Sequence, residues 1–145
     1  MHELSIAQTI VDSVLSDADT RGAERVVQID VDVGELMQLD RRALAGALRI
    51  LLDGSRLKGA RVRLHVESAE FTCRRCGRRW GMTQATKQLA HVPDELRVRE
   101  PDSKELPLHF LPSLYSAFLR CPHCGSSDIL TQRGKEIRIR RVLLG

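Results

Sequence analysis

Apolar residues open the chain at helical spacing. Leu4, Ala7, Ile10, Val11, Val14, Leu15 and Ala18 fall on one side of a helix running from Glu3 to about Asp19, and Gly22 supplies its stop. The period then changes from 3.6 to 2. Val27, Ile29, Val31 and Val33 alternate with Gln28, Asp30 and Asp32, which predicts a half-buried strand ending at Gly34. Asp40 is placed as the N-cap of a second helix whose apolar face is Leu44, Ala47, Leu48, Leu51 and Leu52. Beyond Gly59 a second strand alternates Val62, Leu64 and Val66 with Arg63, His65 and Glu67. The tail closes on a third, with Ile137 and Ile139 between Arg138 and Arg140. Two helices covering one face of a three-stranded sheet make an α+β layer.

The region between the second and third strands does not follow this pattern. It holds four cysteines and, between about 81 and 119, four of the five prolines (Pro93, Pro101, Pro107, Pro112) and a charged run. That stretch reads as an insertion partly without regular structure. The expected organisation is therefore an α+β domain of residues 1–70 together with 129–145, interrupted by a cysteine-bearing domain of residues 71–128.

Composition narrows the classes. With 145 residues and 42% hydrophobic content the chain can bury a core, but 3% aromatics make that core aliphatic. Lys and Arg number 23 against 19 Asp and Glu, interleaved along the chain, which is a weak pointer to a polyanion. Glu3 and Asp12 interrupt what would have to be a basic start and an apolar run in a secretory signal. No stretch approaches the roughly 18 apolar residues of a membrane span. The expectation is a cytoplasmic protein, whose cysteines are metal ligands before they are disulfides.

Those cysteines form two knuckles, Cys73-Arg74-Arg75-Cys76-Gly77 and Cys121-Pro122-His123-Cys124-Gly125. A two-residue gap lets both sulfurs of one turn reach a single ion while nearby N–H groups donate to them, and the glycine permits the positive φ that the turn needs. Two knuckles make a closed four-thiolate site, suited to structural Zn(II) and not to catalysis. Redox dithiols, His123 in place of a cysteine, and iron are the competing readings. The separation of 44 residues between the pairs exceeds the usual gap of roughly 15–20.

The chain begins Met1-His2-Glu3. The α-amine of Met1, the amide nitrogen of His2 and its imidazole Nδ1 can close fused chelate rings on one ion, filling three corners of a square plane. That geometry suits Ni(II) or Cu(II) and is poor for Zn(II). A bulky second residue also protects the initiator methionine from removal. A histidine at position 2 arises by chance in many proteins, so by itself the feature is weak.

Taken together, Met1-His2-Glu3-Leu4-Ser5, the run Val31-Asp32-Val33-Gly34-Glu35-Leu36 and the two knuckles resemble the HypA/HybF family of hydrogenase nickel-insertion proteins, in order and across essentially the whole chain. The resemblance implies a nickel metallochaperone delivering Ni(II) to the large subunit of [NiFe] hydrogenase, working with a HypB-type nucleotidase, and in some members serving urease. It implies nickel ligands at Met1 and His2 with Glu3 adjacent, and zinc ligands at Cys73, Cys76, Cys121 and Cys124. The long gap between knuckles is similar to that of archaeal members. It opens the way to a fourth nickel ligand from the insertion, for which His109, in the apolar run Leu108 to Pro112, is preferred over His91.

Other residues invite weighing. Asp30 and Asp32 resemble a carboxylate pair, but alternating charge on an exposed strand face accounts for them, and His65 is read as an ordinary surface residue of its strand. Glu35 either braces the turn after Gly34 or faces the metal. Arg74, Arg75, Arg78 and Arg79 with Trp80 make the best case for a zinc-ribbon module that binds nucleic acid or protein. That is the alternative to a metal carrier, for which neither nucleic acid nor membrane is expected as partner. No nucleophile and base, phosphate loop or acid pair is present, so enzymatic activity is not expected.

Overall fold

The computed structural model describes residues 2–91, 98–100, 103–105 and 115–145, with the backbone alone described for His2, 98–100, 103–105 and Tyr115. Its elements are α1 (His2–Thr20), β1 (Val26–Gly34), a 3-10 turn (Glu35–Met37), α2 (Arg41–Asp53), β2 (Arg61–Glu67), β3 (Glu70–Cys73), β4 (Arg79–Trp80), α3 (Met82–Leu89), β5 (Val98–Glu100), β6 (Ser103–Glu105), α4 (Tyr115–Phe118), β7 (Ile129–Arg133) and β8 (Ile137–Leu144). They form two compact units, an α+β layer and a four-cysteine insert.

The first unit comprises residues 1–33, 39–65 and 137–145. Its sheet has the order β2-β1-β8, with β8 antiparallel to β1. Helices α1 and α2 bury Ala7, Ile10, Val11, Val14, Ala18, Leu44, Leu48 and Leu52 against Val26, Ile29, Val31 and Val33. Each fully buried Leu or Val contributes about 1.5–3 kcal/mol over its exposed state, and the core is aliphatic throughout. α1 ends where the sequence places its stop: Gly22 N–H donates to Asp19 C=O and Ala23 N–H to Ala18 C=O, the paired bonds of a Schellman cap. Asp40 caps α2, its Oδ1 accepting from Arg42 N–H at 2.9 Å and Ala43 N–H at 3.1 Å.

One expectation for this unit fails. β1 is not half-buried with its acids on an exposed face: Gln28, Asp30 and Asp32 are as buried as the valines. β1 is the central strand, so side chains of both neighbours flank its outer face. Arg138 and Arg140 reach over to Asp32, and Arg141 to Asp30. A bulge at the start of the β1–β8 pairing leaves Val27 exposed.

The second unit comprises residues 34–38 and 66–136. It therefore takes in Gly34–Gln38, the stretch from Val66 and β7, which the sequence pattern had assigned to the α+β layer. β7 belongs here because it pairs with β3, which also pairs with β4. Phe71 sits at the middle of that sheet, opposite Trp80 and Thr131, in a core completed by Leu36, Ala85, Leu89, Leu119 and Ile129. Part of the expected irregular insertion is regular, since α3 and the β5–β6 pair lie within it. Glu35 braces: its Oε1 accepts the Ala69 N–H at 2.8 Å, while Glu67 Oε1 accepts the Gly134 N–H at 3.0 Å.

Candidate metal centre

Both knuckles fold by the same local bonds. The N–H of the first cysteine donates to the carbonyl five residues on (Cys73 to Arg78, Cys121 to Ser126, both 2.8 Å), and the glycine N–H returns to the first cysteine's carbonyl. Gly77 and Gly125 take φ of 79° and 75°, a region that L side chains adopt only with strain. β3 delivers Cys73 and β7 begins a few residues after Cys124, so the β3–β7 pairing brings the two turns together across the intervening chain. Arg74 N–H donates to Asp128 C=O at 3.0 Å, tying the first knuckle to the segment that leads from the second into β7.

The four sulfurs lie within 4.8 Å of one another. Cys73 Sγ is 3.6 Å from Cys124 Sγ, and Cys76 Sγ is 3.5 Å from Cys121 Sγ. A zinc–sulfur bond of about 2.3 Å puts tetrahedral ligands about 3.8 Å apart, close to both edges and far from a disulfide. None of the four is disulfide-bonded. Cys73 and Cys121 are buried and Cys76 and Cys124 exposed, so each knuckle presents one inner and one outer ligand.

The backbone is arranged for thiolates. Cys121 Sγ accepts from the N–H groups of His123 and Cys124, both at 3.4 Å, and Cys73 Sγ from that of Cys76 at 3.5 Å. Burial pushes the Cys121 thiol up, but those two N–H groups outweigh it and bring it to about 6. The Cys76 N–H likewise lowers Cys73. Cys76 moves the other way, to about 11: the Arg78 backbone lowers it, and burial beside three neighbouring sulfurs prevails. Four thiols this close cannot all ionise unless a cation offsets the charge. The donor set is that of one borderline-soft metal ion.

Residues that sequence reasoning passed over hold the second knuckle. Gln88, on α3, donates Nε2–H to the Arg120 carbonyl at 2.7 Å and accepts the Arg120 N–H at 3.0 Å, pinning the residue before Cys121. An uncharged glutamine in an insertion carries no motif that would reveal this. Two of the four arginines around the first knuckle lie at 3.8 Å (Arg74 to Asp128) and 3.9 Å (Arg79 to Glu70) from acids. Trp80 is buried against Phe71, ring centroids 6.1 Å apart, and offers no face on which a base could stack. His123 donates only its backbone to the site among the contacts described.

At the other candidate site, His2 is the first residue of α1. Glu3 Oε1 accepts the Asp40 N–H at 3.1 Å, tying the start of α1 to the start of α2. Partial burial raises the Glu3 carboxyl, but that bond and others bring it below its usual value, so it stands as a carboxylate. Met1 and His109 lie outside the described residues. His91 is exposed just beyond α3. Asp30 and Asp32 are raised by burial but brought below the usual carboxylate range, Asp30 by Gln28 and Arg141 and Asp32 by Arg140 and Arg138. No described helix is long and apolar enough to cross a membrane.

Comparison with known proteins agrees with this arrangement. The chain is 35% identical to the hydrogenase maturation factor HypA of Pyrococcus horikoshii, over 96% of this chain and 92% of that one. It is 31% identical to the factor of the same name from Methanopyrus kandleri, over 99% and 93%. The solution structure of the Ni metallochaperone HypA from Helicobacter pylori shares the fold, with a TM-score of 0.57 at 15% identity, covering 98% of this chain and 96% of that one. A second HypA solution structure gives 0.59 at 17%, covering 99% and 96%. The sequence profile described as hydrogenase/urease nickel incorporation, metallochaperone, matches residues 1–144, and the chain belongs to that HypA family.

Proposed function

We propose that this protein is a cytoplasmic nickel carrier. It holds one structural Zn(II) at Cys73, Cys76, Cys121 and Cys124 and one exchangeable Ni(II) at Met1 and His2. It passes the nickel on for maturation of a [NiFe] hydrogenase large subunit, with a HypB-type nucleotidase as partner. The observation that carries the reading is the family match over residues 1–144, joined to a histidine at position 2.

The start of α1 supports the chelate on physical grounds. The first four N–H groups of a helix have no intrahelical acceptor, so the His2 amide can lose its proton to a metal without breaking a helical bond. The helix's positive end disfavours a bound cation there, which eases release. The Glu3 carboxylate beside it lessens that penalty and keeps α1 docked on α2 through Asp40, a positioning role that leaves the fourth corner of the plane to His109 in the insertion, with His91 the second choice. For the sulfur site, zinc is the occupant that the closed four-thiolate set suits, and iron or a redox role is the competing outcome.

Metal analysis and Ni(II) absorbance on untagged protein test this directly. One zinc per chain and a low-spin square-planar nickel spectrum are expected. His2→Ala, or any residue added ahead of Met1, should abolish the nickel spectrum and leave zinc unchanged. His109→Ala should weaken nickel binding with the chelate retained, and His91→Ala should be silent. An N-terminally extended protein that binds Ni(II) in the same geometry would refute the chelate.

A further inference from the structure

The face of the first unit's sheet that its two helices leave open is unusually rich in charge for a strand surface. Alternation puts Val62 and Leu64 of β2 against the helices and Arg61, Arg63 and His65 on the other side. On β1 that side carries Gln28, Asp30 and Asp32, joined by a Gln28–Asp30 side-chain bond of 2.9 Å. On β8 it carries Arg138, opposite Asp32, Arg141, opposite Asp30, and Leu143, opposite Gln28, with Arg140 at the bulge between. Both helices of the unit lie on the opposite face.

The two aspartates are buried while the arginines above them remain open. Asp32 keeps 4% of its side chain accessible and Asp30 6%, whereas Arg138, Arg140 and Arg141 keep 67%, 56% and 56%. The acids thus form a floor that holds the guanidiniums in place, and Arg140 and Arg141, more than half exposed, keep donors for a further acceptor. Arg61 and Arg63 are exposed and make no ion pair among the described residues. Arg61 and Arg63 add positive charge to a face whose aspartates already hold their own arginines, beside Leu143 at 38% exposure. Preorganised arginine next to an exposed aliphatic is the composition of a protein interface centre.

We propose that this face of β2, β1 and β8 docks an acidic polypeptide segment of a partner protein, its carboxylates received by the outward donors of Arg61, Arg63, Arg140 and Arg141. Carboxylate is the ligand these guanidiniums already hold from below, at 2.7 Å in the Arg140–Asp32 pair. A nucleic acid fits less well. No Phe, Tyr or Trp lies in these three strands, and a sheet three strands across, about 10 Å between outer strands, meets few phosphates. A membrane fits less well still, since the β1–β8 register gives this face little aliphatic surface, Leu143 opposite Gln28, to combine with the arginines. The proposal uses none of the residues assigned to either metal, so it is independent of the nickel reading.

The test uses the full-length, zinc-loaded protein and a fluorescein-labelled ten-residue polyglutamate at low salt, read by anisotropy and by amide chemical shifts. Binding is expected, with shifts gathered on Gln28, Asp30 and Leu143. Arg61→Glu with Arg63→Glu should weaken it by about tenfold or more, because both charges are reversed without disturbing the buried pairs. Arg75→Glu with Arg78→Glu, on the zinc knuckle, should change it by less than about twofold. If the reversed pair fails to fold, Arg61→Gln with Arg63→Gln should still weaken binding by about threefold. The proposal is overturned by no binding, by a loss confined to the knuckle variant, by insensitivity to the sheet variants, or by tighter binding of a ten-nucleotide single strand or of phosphatidylserine vesicles than of the peptide.

Discussion

Replacing Asp32 by Asn is the sharpest probe of how the sheet face is held. The amide matches the carboxylate in shape and removes one charge from a side chain 4% accessible, with Arg140 at 2.7 Å and Arg138 at 3.3 Å. Breaking a wholly buried ion pair costs about 3–5 kcal/mol. An exposed pair is worth about 0–1 kcal/mol. Here the acid is buried but both arginines are more than half open and can rehydrate, which places the cost at about 2 kcal/mol. In urea that is a fall of about 1 M in midpoint. Ellipticity at 222 nm reports on the right unit, because α1 and α2 have 19 and 13 residues against 8 and 4 in α3 and α4. The pH dependence gives a second handle. Burial raises the Asp32 carboxyl, but its bonds to Arg140 and Arg138 bring it below the ordinary value. The unfolded chain therefore takes up the proton first, near its reference pKa of about 3.9, and the contribution present above that pH is lost as pH falls through the lower folded value. Asn cannot titrate, so the gap between wild type and variant should be full at pH 7 and shrink on acidification below about pH 4. A penalty under about 0.5 kcal/mol, the range of an ordinary surface change, or a gap as large in acid as at neutrality would refute the account.

Chelation of the zinc, or Cys121→Ser, should shift the emission of Trp80, which packs in the same core as Cys73 and Cys121, while the 222 nm signal of the first unit largely persists; simultaneous loss of both signals would count against separate units. Leu48→Ala, at 1% exposure in the aliphatic core, should cost about 2–5 kcal/mol by urea denaturation followed at 222 nm. Asp40→Ala removes the side-chain cap of α2 but keeps the N–H that Glu3 accepts, so the loss should be about 1 kcal/mol by the same assay, with the position of α1 unchanged by amide shifts.

What the sequence determined by itself is what depends on neighbours in the chain. The 3.6-residue period of Ala7 to Ala18 and of Leu44 to Leu52 marks the two core-facing helices, and Asp40 and Gly22 bound them, because caps and faces are local properties. The spacing within Cys73–Cys76 and Cys121–Cys124 likewise specifies each knuckle, and His2 is legible simply as the second residue. Pairing over long distances was decided only in the tertiary structure. A period of 2 tells which residues share a face of β1 but not what covers it; Asp30 and Asp32 are buried because β8, more than a hundred positions later, lays its arginines over them. The short strands β3, β4 and β7 have too few residues to show a period, so the sheet that joins the knuckles, and with it the transfer of β7 to the second unit, escaped the pattern. Trp80 beside four arginines suggests a stacking surface until Phe71 is seen to bury it. Gln88 and Glu35 position the site through backbone N–H and C=O groups, which every residue carries alike, so only the folded geometry singles them out.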